Sequence, residues 1–396
     1  MKQISELSIL FISTFLIFSC QSMSTNPEPS KTTTIDASQN KNRHELIKEE
    51  KRKQSEADLP FRGLDTSKKI TSVVFGSSMD QDQPQPLWSA IAAVNPDLFV
   101  YVGEQNRKLN KIPDYRNIRE KVPFLAIWND QGAPLAVADN ESSRAEFSKY
   151  WTYIRTTLPK NQKALYHSKI IGSKKQTLQV ILLDTRSDRS ELKINPDDQK
   201  EIRTPIIVVP TSADSTTNAT LTTPTNETKA LIVQQPKPFL ADDDKNKHFL
   251  SDEQWNWLEN ELRKPATFRL LVSPIQVIAN DHQFEKWGNF PRERERLLNL
   301  LKSTKAKNLL ILSSHRNSAS IAQTDIKGLG KIYDATTSSI NQPGKPSWLL
   351  KDSTYLTDAY PDVNFGLVKI DWENRKAKVE IHGLENKVVN STEVNF

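Results

Sequence analysis

Residues 70–105 read ITSVVFGSSMDQDQPQPLWSAIAAVNPDLFVYVGEQ, and their pattern decides the fold class. Residues 70–75 and 98–102 are short apolar runs rich in β-branched and aromatic side chains, the composition of strands buried on both faces. Between them, residues 87–94 form an amphipathic segment at helical spacing. Strand, helix, strand is the unit of an α/β protein, and the alternation continues outward. Residues 124–128, 178–183, 268–272 and 308–312 read as further strands, and 144–154, 252–263 and 292–303 as further helices. Ser251 is an N-cap for the helix that follows, with Gln254 three residues later completing a capping-box pattern. The tail differs, since 364–372 and 376–383 read as an antiparallel hairpin that closes a sheet. Polar loops follow several central strands, and ligands of α/β folds gather outside the carboxyl ends of strands.

The chain has 396 residues, 36% of them hydrophobic, enough apolar material for one large or two smaller folded units and too much for a wholly disordered chain. Only 11 residues are Gly, which excludes a collagen-like chain. The 54 Lys and Arg against 48 Asp and Glu leave a charge of +6 spread without a dense basic block, so no nucleic-acid partner is expected. Cys20 is the only cysteine, which excludes an internal disulfide and any multi-cysteine metal site.

Residues 7–18, LSILFISTFLIF, are long enough for the core of a signal peptide and short of the ~20 residues of a membrane helix. The run ends in Ile17-Phe18-Ser19-Cys20, which resembles a bacterial lipobox and implies lipidation of Cys20. The alternative is an ordinary cleavable leader with an incidental cysteine. Gln21 after the cysteine, in place of Asp, points to the outer membrane facing the periplasm. The expected organisation is a signal peptide over 1–19 and a lipidated polar tether over 20–69 that includes a short helix at 44–54, followed by a folded domain over 70–396. The stretch 204–247, rich in Thr, Pro, Asn and Asp, reads as a surface insert, with 206–209 and 231–233 as candidate edge strands.

Ordered motifs run through the folded part. They are Phe75-Gly76-Ser77-Ser78-Met79-Asp80, Pro96-Asp97 before residues 98–103, Ala126-Ile127-Trp128, Tyr166-His167-Ser168 and Leu183-Asp184-Thr185-Arg186. They continue with Gln254-Trp255-Asn256-Trp257-Leu258, Ser273-Pro274-Ile275-Gln276-Val277, the run Glu285 to Arg294, Asn364-Phe365-Gly366-Leu367 and Ile370-Asp371-Trp372. Together they resemble the alkaline phosphatase D (PhoD-like) metallophosphatases over 70–389, apart from the insert. The resemblance implies an α/β fold, a four-layer α/β/β/α sandwich of the calcineurin-like kind, with a metal-centred phosphoesterase site at the strand ends.

The ligand-bearing motifs depart from that family. Where its members carry Gly-Asp-Asn this chain has Gly103-Glu104-Gln105, and where they carry Trp-Asp-Asp-His-Asp it has Trp128-Asn129-Asp130-Gln131-Gly132. Where they carry Ser-Gly-Asp-Arg-His it has Ser313-Ser314-His315-Arg316-Asn317, and their Ser-Cys is Ser77-Ser78. A multinuclear site must offset several cationic charges with anionic oxygens and imidazoles. Asn129 and Asn317 offer uncharged oxygen, Gln131 a neutral amide and Gly132 nothing, so Glu104, Asp130 and His315 are the remaining candidate ligands, with Arg316 beside them.

Plainer roles stand beside these. Asp130 can cap a turn, and His315 with Arg316 can be a surface loop pair. Asp184 with Arg186 reads as a local ion pair, Trp255, Trp257 and Trp287 as packing residues, and His167 and His282 receive no role. Three functional readings follow: a catalytically degenerate scaffold that binds a protein or small molecule, a divergent phosphomonoesterase or phosphodiesterase, and a structural envelope component. The first implies no cofactor, while the second implies a divalent or ferric metal with calcium. In the leading reading the membrane is a partner through Cys20.

Overall fold

In the computed structural model of the chain, the described residues are 62–80, 82–103, 112–128, 140–195, 239–282, 284–344 and 351–396. The expected leader, Cys20, the tether up to residue 61 with its helix at 44–54, and the insert up to residue 238, including both candidate edge strands, lie outside them, while residues 62–69 at the end of the expected tether are described and Leu64 packs against the core.

The strands are β1 (Ser72–Gly76), β2 (Leu98–Val102), β3 (Phe124–Ile127), β4 (His167–Ile171), β5 (Leu178–Leu182), β6 (Lys193–Ile194) and β7 (Phe239–Leu240). They continue with β8 (Phe268–Ser273), β9 (Leu309–Ser313), β10 (Ser320–Ile326), β11 (Gly330–Thr336), β12 (Phe365–Asp371), β13 (Lys376–His382) and β14 (Val388–Asn395). The helices are α1 (Trp88–Ala93), α2 (Pro113–Lys121), α3 (Asn140–Tyr150), α4 (Ile154–Thr157), α5 (Asp252–Arg263) and α6 (Pro291–Ser303).

Two six-stranded sheets carry the fold, in the orders β14-β13-β12-β1-β2-β3 and β10-β11-β9-β8-β5-β4. Side-chain alternation along the strands explains why they stack. Val180 and Leu182 of β5, Leu270 and Val272 of β8, and Leu310 and Leu312 of β9 join one apolar core with the first sheet. Their neighbours Ile181, Leu271 and Ile311 point the other way and pack with Leu258 and Leu262 of α5 and Leu297 and Leu301 of α6. The far face of the first sheet is covered by Trp88 and Ile91 of α1, Tyr115 and Ile118 of α2, and Phe147 of α3. The result is an α/β/β/α sandwich, with the expected hairpin formed by β12 and β13 in the register Phe365↔His382 to Asp371↔Lys376. The strand β14 extends that hairpin into a three-stranded meander.

Two local readings change. The single helix expected over 144–154 is two, α3 and α4, with no Pro or Gly at the break. Tertiary anchoring accounts for it: Trp151 is buried, Ile154 N–H bonds Trp151 O three residues back, and the Tyr153 hydroxyl accepts from Ala126 N–H at 2.7 Å. The capping box at Ser251 is half used. Ser251 Oγ accepts from Gln254 N–H at 3.3 Å, while the Gln254 side chain turns inward to exchange two hydrogen bonds with the Asp184 backbone, at 2.9 and 2.8 Å.

Candidate functional site

The carboxyl ends of β1, β2, β9 and β11 meet at one edge of the sandwich, and what joins them there is hydroxyl chemistry. Ser77 Oγ donates to Thr337 O at 3.1 Å, Thr337 Oγ1 to Phe75 O at 3.3 Å, and Ser78 Oγ lies 2.9 Å from Ser338 Oγ. Ser314 Oγ reaches both Val102 O, at 3.0 Å, and Pro274 O, at 2.8 Å, and so ties an end of one sheet to an end of the other. Ser338 Oγ also accepts from the backbone N–H groups of Arg316, at 2.7 Å, and Asn317, at 3.0 Å. Those bonds hold a loop in which His315 (φ 66°) and Asn317 (φ 51°) both adopt the left-handed conformation, as Ser78 (φ 52°) does across from it.

The β9 loop carries two of the candidate residues into different surroundings. His315 Nε2 sits 3.1 Å from Glu285 Oε2, and the other carboxylate oxygen of Glu285 pairs with the wholly buried Arg189 at 2.5 Å. Burial pushes the Glu285 carboxyl up, but the hydrogen bond from His315 and the charge of Arg189 outweigh it and leave the group below the ordinary range. The Arg316 guanidinium is buried over the Phe284 ring, 4.3 Å from its centre, and burial lowers its pKa. The pair is therefore not a surface loop pair: one side chain joins a buried ion network and the other is buried on an aromatic ring.

A second buried network lies behind it. Ser313 Oγ donates to Asp334 Oδ1 at 2.6 Å, and Asp334 Oδ2 accepts from Val277 and Ile278 N–H at 2.7 and 3.1 Å. Burial raises the Asp334 pKa despite these donors. His282 Nδ1 accepts from Phe284 N–H at 3.2 Å, which leaves Nε2 to donate to Gln276 Oε1 at 2.8 Å. Burial, then the charges of Arg316 and Lys286, hold His282 well below its usual pKa, so it is neutral. Glu285, Gln276, His282 and Asp334 are the site-edge residues that motif reading passes over; Gln276 and Glu285 do sit inside matched runs, which was the available signal.

Other candidates resolve into packing. Asp184 does not serve mainly as an ion-pair partner: its carboxylate is occupied by N–H and O–H donors from Trp128, Leu165, Arg186 and Ser187, and the Arg186 guanidinium lies 4.8 Å over the Trp128 ring. His167, pushed down to about 4 by burial, bonds Leu165 O and Tyr153 OH and is structural. Trp255 and Trp287 are core, and the half-buried Trp257 packs against Tyr166. Glu104, Gln105, Asn129, Asp130, Gln131 and Gly132 lie outside the described residues.

The donor set bears on the metals that this fold implies. Among the described residues, no three His, Cys, Asp or Glu side chains converge as ligands. The oxygens at the ends of β1, β9 and β11 are neutral hydroxyls apart from the Asp334 carboxylate, which is taken up by Ser313 and the Val277 and Ile278 N–H groups, and His315 faces a carboxylate that Arg189 already neutralises. Among the described residues, these groups do not fit a multinuclear cationic centre.

A solved structure of PhoD shares the fold, with a TM-score of 0.57 and 12% identity over 85% of this chain and 70% of that one. A purple acid phosphatase from yellow lupin (Lupinus luteus) seeds gives 0.49 and 11% over 84% of this chain and 55% of that one. A search of curated sequences gives no match. The family model described as PhoD-like phosphatase matches residues 135–381, more than half of the chain, and with the motifs and the sandwich now in place the chain belongs to the PhoD-like phosphatase family.

Proposed function

We propose that this protein is a lipid-anchored envelope component that keeps the PhoD-like sandwich as a binding scaffold and has lost the family's metal chemistry. The observation that supports this reading is the donor set at the β9 end, where His315, Glu285 and Arg189 form an ion network, the Asp334 carboxylate is occupied by hydroxyl and N–H donors, and the other oxygens are hydroxyls bonded to one another or to backbone. Generating hydroxide at neutral pH needs a cation to lower the pKa of bound water. A guanidinium such as that of Arg316 stabilises charge but does not activate water.

The test is metal analysis of the purified mature chain beside assays of phosphomonoester and phosphodiester hydrolysis, with calcium, iron, manganese or zinc added. The expected result is substoichiometric metal and no turnover above background. Chelator-sensitive turnover that disappears in Asp130→Ala would overturn the reading. The anchor is tested separately, since the motif at Ser19-Cys20 supports it: a fatty-acid analogue should label the wild type in a bacterial host and leave Cys20→Ser unlabelled. Equal labelling of both would remove the anchor from the proposal.

A further inference from the structure

The edge strands β3 and β4 close the same side of the two sheets, and between them lies a cavity of about 400 Å³. It is lined at the amino end of β3 by Phe124 and Leu125, so it faces away from the strand ends that carry the family's site. Its size is that of a small-molecule pocket. Leu64 and Tyr153 give it an apolar part, and two cations line it: Lys169 of β4, and the exposed Arg62, whose backbone bridges to Pro123 just before β3.

The charge balance of this cavity is one-sided, because among the described residues no Asp or Glu lines it. The nearby Asp65 carboxylate folds back onto the Ser67 N–H and hydroxyl at 2.9 and 2.7 Å. Lys169 is half-buried, has no ion-pair partner among the described residues, and has its pKa lowered by burial alone. A partly desolvated ammonium without a carboxylate is a cost that an anion would relieve. Thr66 and Thr152 also line the cavity, whereas the hydroxyls of Thr156 and Thr157 already donate to Tyr153 O.

We propose that this cavity is a binding site for a small organic phosphate, its dianionic head group between Lys169 and Arg62 with the Thr66 and Thr152 hydroxyls, and its carbon portion against Leu64 and Tyr153. Two lining cations and two lining threonines match a dianion with several acceptor oxygens better than they match a single carboxylate. The site is separate from the strand-end network and does not depend on the metal reading.

Calorimetric titration of the mature chain with phenylphosphonate, which has no ester bond to hydrolyse, tests the proposal. Phenylphosphonate should bind saturably, benzoate more weakly and benzyl alcohol not at all. Lys169→Gln should weaken phenylphosphonate about tenfold or more, the scale of one charge-assisted hydrogen bond. Lys169→Arg should keep most of the affinity, and an unchanged melting temperature in both variants would exclude misfolding as the cause. Amide resonances of Thr152 and Thr156 should shift on titration. Absence of saturable binding, equal affinity in Lys169→Gln, or shifts confined to residues elsewhere would each overturn it.

Discussion

Asp184→Ala should destabilise the domain by about 4 kcal/mol or more, a loss large enough to leave part of the protein unfolded at room temperature. The side chain is wholly buried at the end of β5. Its Oδ1 accepts from Trp128 Nε1–H at 2.8 Å and from the N–H groups of Arg186 and Ser187 at 3.0 Å each; its Oδ2 accepts from Leu165 N–H at 2.6 Å and Ser187 Oγ–H at 2.7 Å. Alanine would strand several donors at once, and each buried unsatisfied donor costs about 1 to 3 kcal/mol. The bond from Trp128 also joins the end of β3 to that of β5, so the loss falls on the seam between the sheets. Asp184→Asn keeps one acceptor oxygen and should fall between the two. Urea unfolding followed by tryptophan fluorescence measures the effect, and a midpoint shared by wild type and Asp184→Ala would show that water replaces the carboxylate without loss.

Glu285→Ala is expected to cost about 3 to 5 kcal/mol, because it leaves the Arg189 guanidinium buried without its carboxylate. Replacing both partners by apolar residues, as in Glu285→Leu with Arg189→Met, should recover much of that loss, since removing a buried pair together strands no charge. The pH dependence follows from the depressed pKa of Glu285. Its contribution is fully present above the unfolded carboxyl value of about 4.3 and is lost as pH falls through the lower folded value. The gap in stability between wild type and Glu285→Ala should therefore narrow once the pH falls through that lower folded value. A gap that stays undiminished in strong acid, below the folded carboxyl value, would contradict the ion network.

Much of the fold was legible because its central strands are buried on both faces. β1, β2, β3 and β9 are essentially apolar runs, and β5 and β8 are interrupted only by the buried Gln179 and Arg269 and by the terminal Ser273. The elements that escaped reading are of mixed character. β4 is His-Ser-Lys-Ile-Ile at a sheet edge, β10 runs from a buried Ser320 to a half-exposed Ile326, and α2 buries only Tyr115, Ile118 and Arg119. β4 and β10 are held as strands by the hairpin partners that follow them, β5 and β11, and pairing of this kind leaves no apolar run to read. The site divides the same way. Substitution of the ligand motifs is visible residue by residue at 315–317, but the partners that His315 and Arg316 find, Glu285 and Phe284, lie about thirty positions upstream. Burial of a charge is a tertiary property, so Asp334 and Arg189 carry no mark in the sequence of what they do.

The order of the first sheet has a consequence for how the chain reaches its native state. β1, the first strand, lies between β2 and β12, with Ser72 opposite Lys369 and Phe75 opposite Gly366. One edge of that central strand can pair early with its neighbour in sequence; the other waits for β12, whose residues follow far along the chain. Such pairings across most of the chain carry a high loop-closure cost and are slow. Until the last three strands arrive, the first half of the sandwich has an open apolar edge, and the polypeptide stays in a form that can still be threaded, held or cleaved.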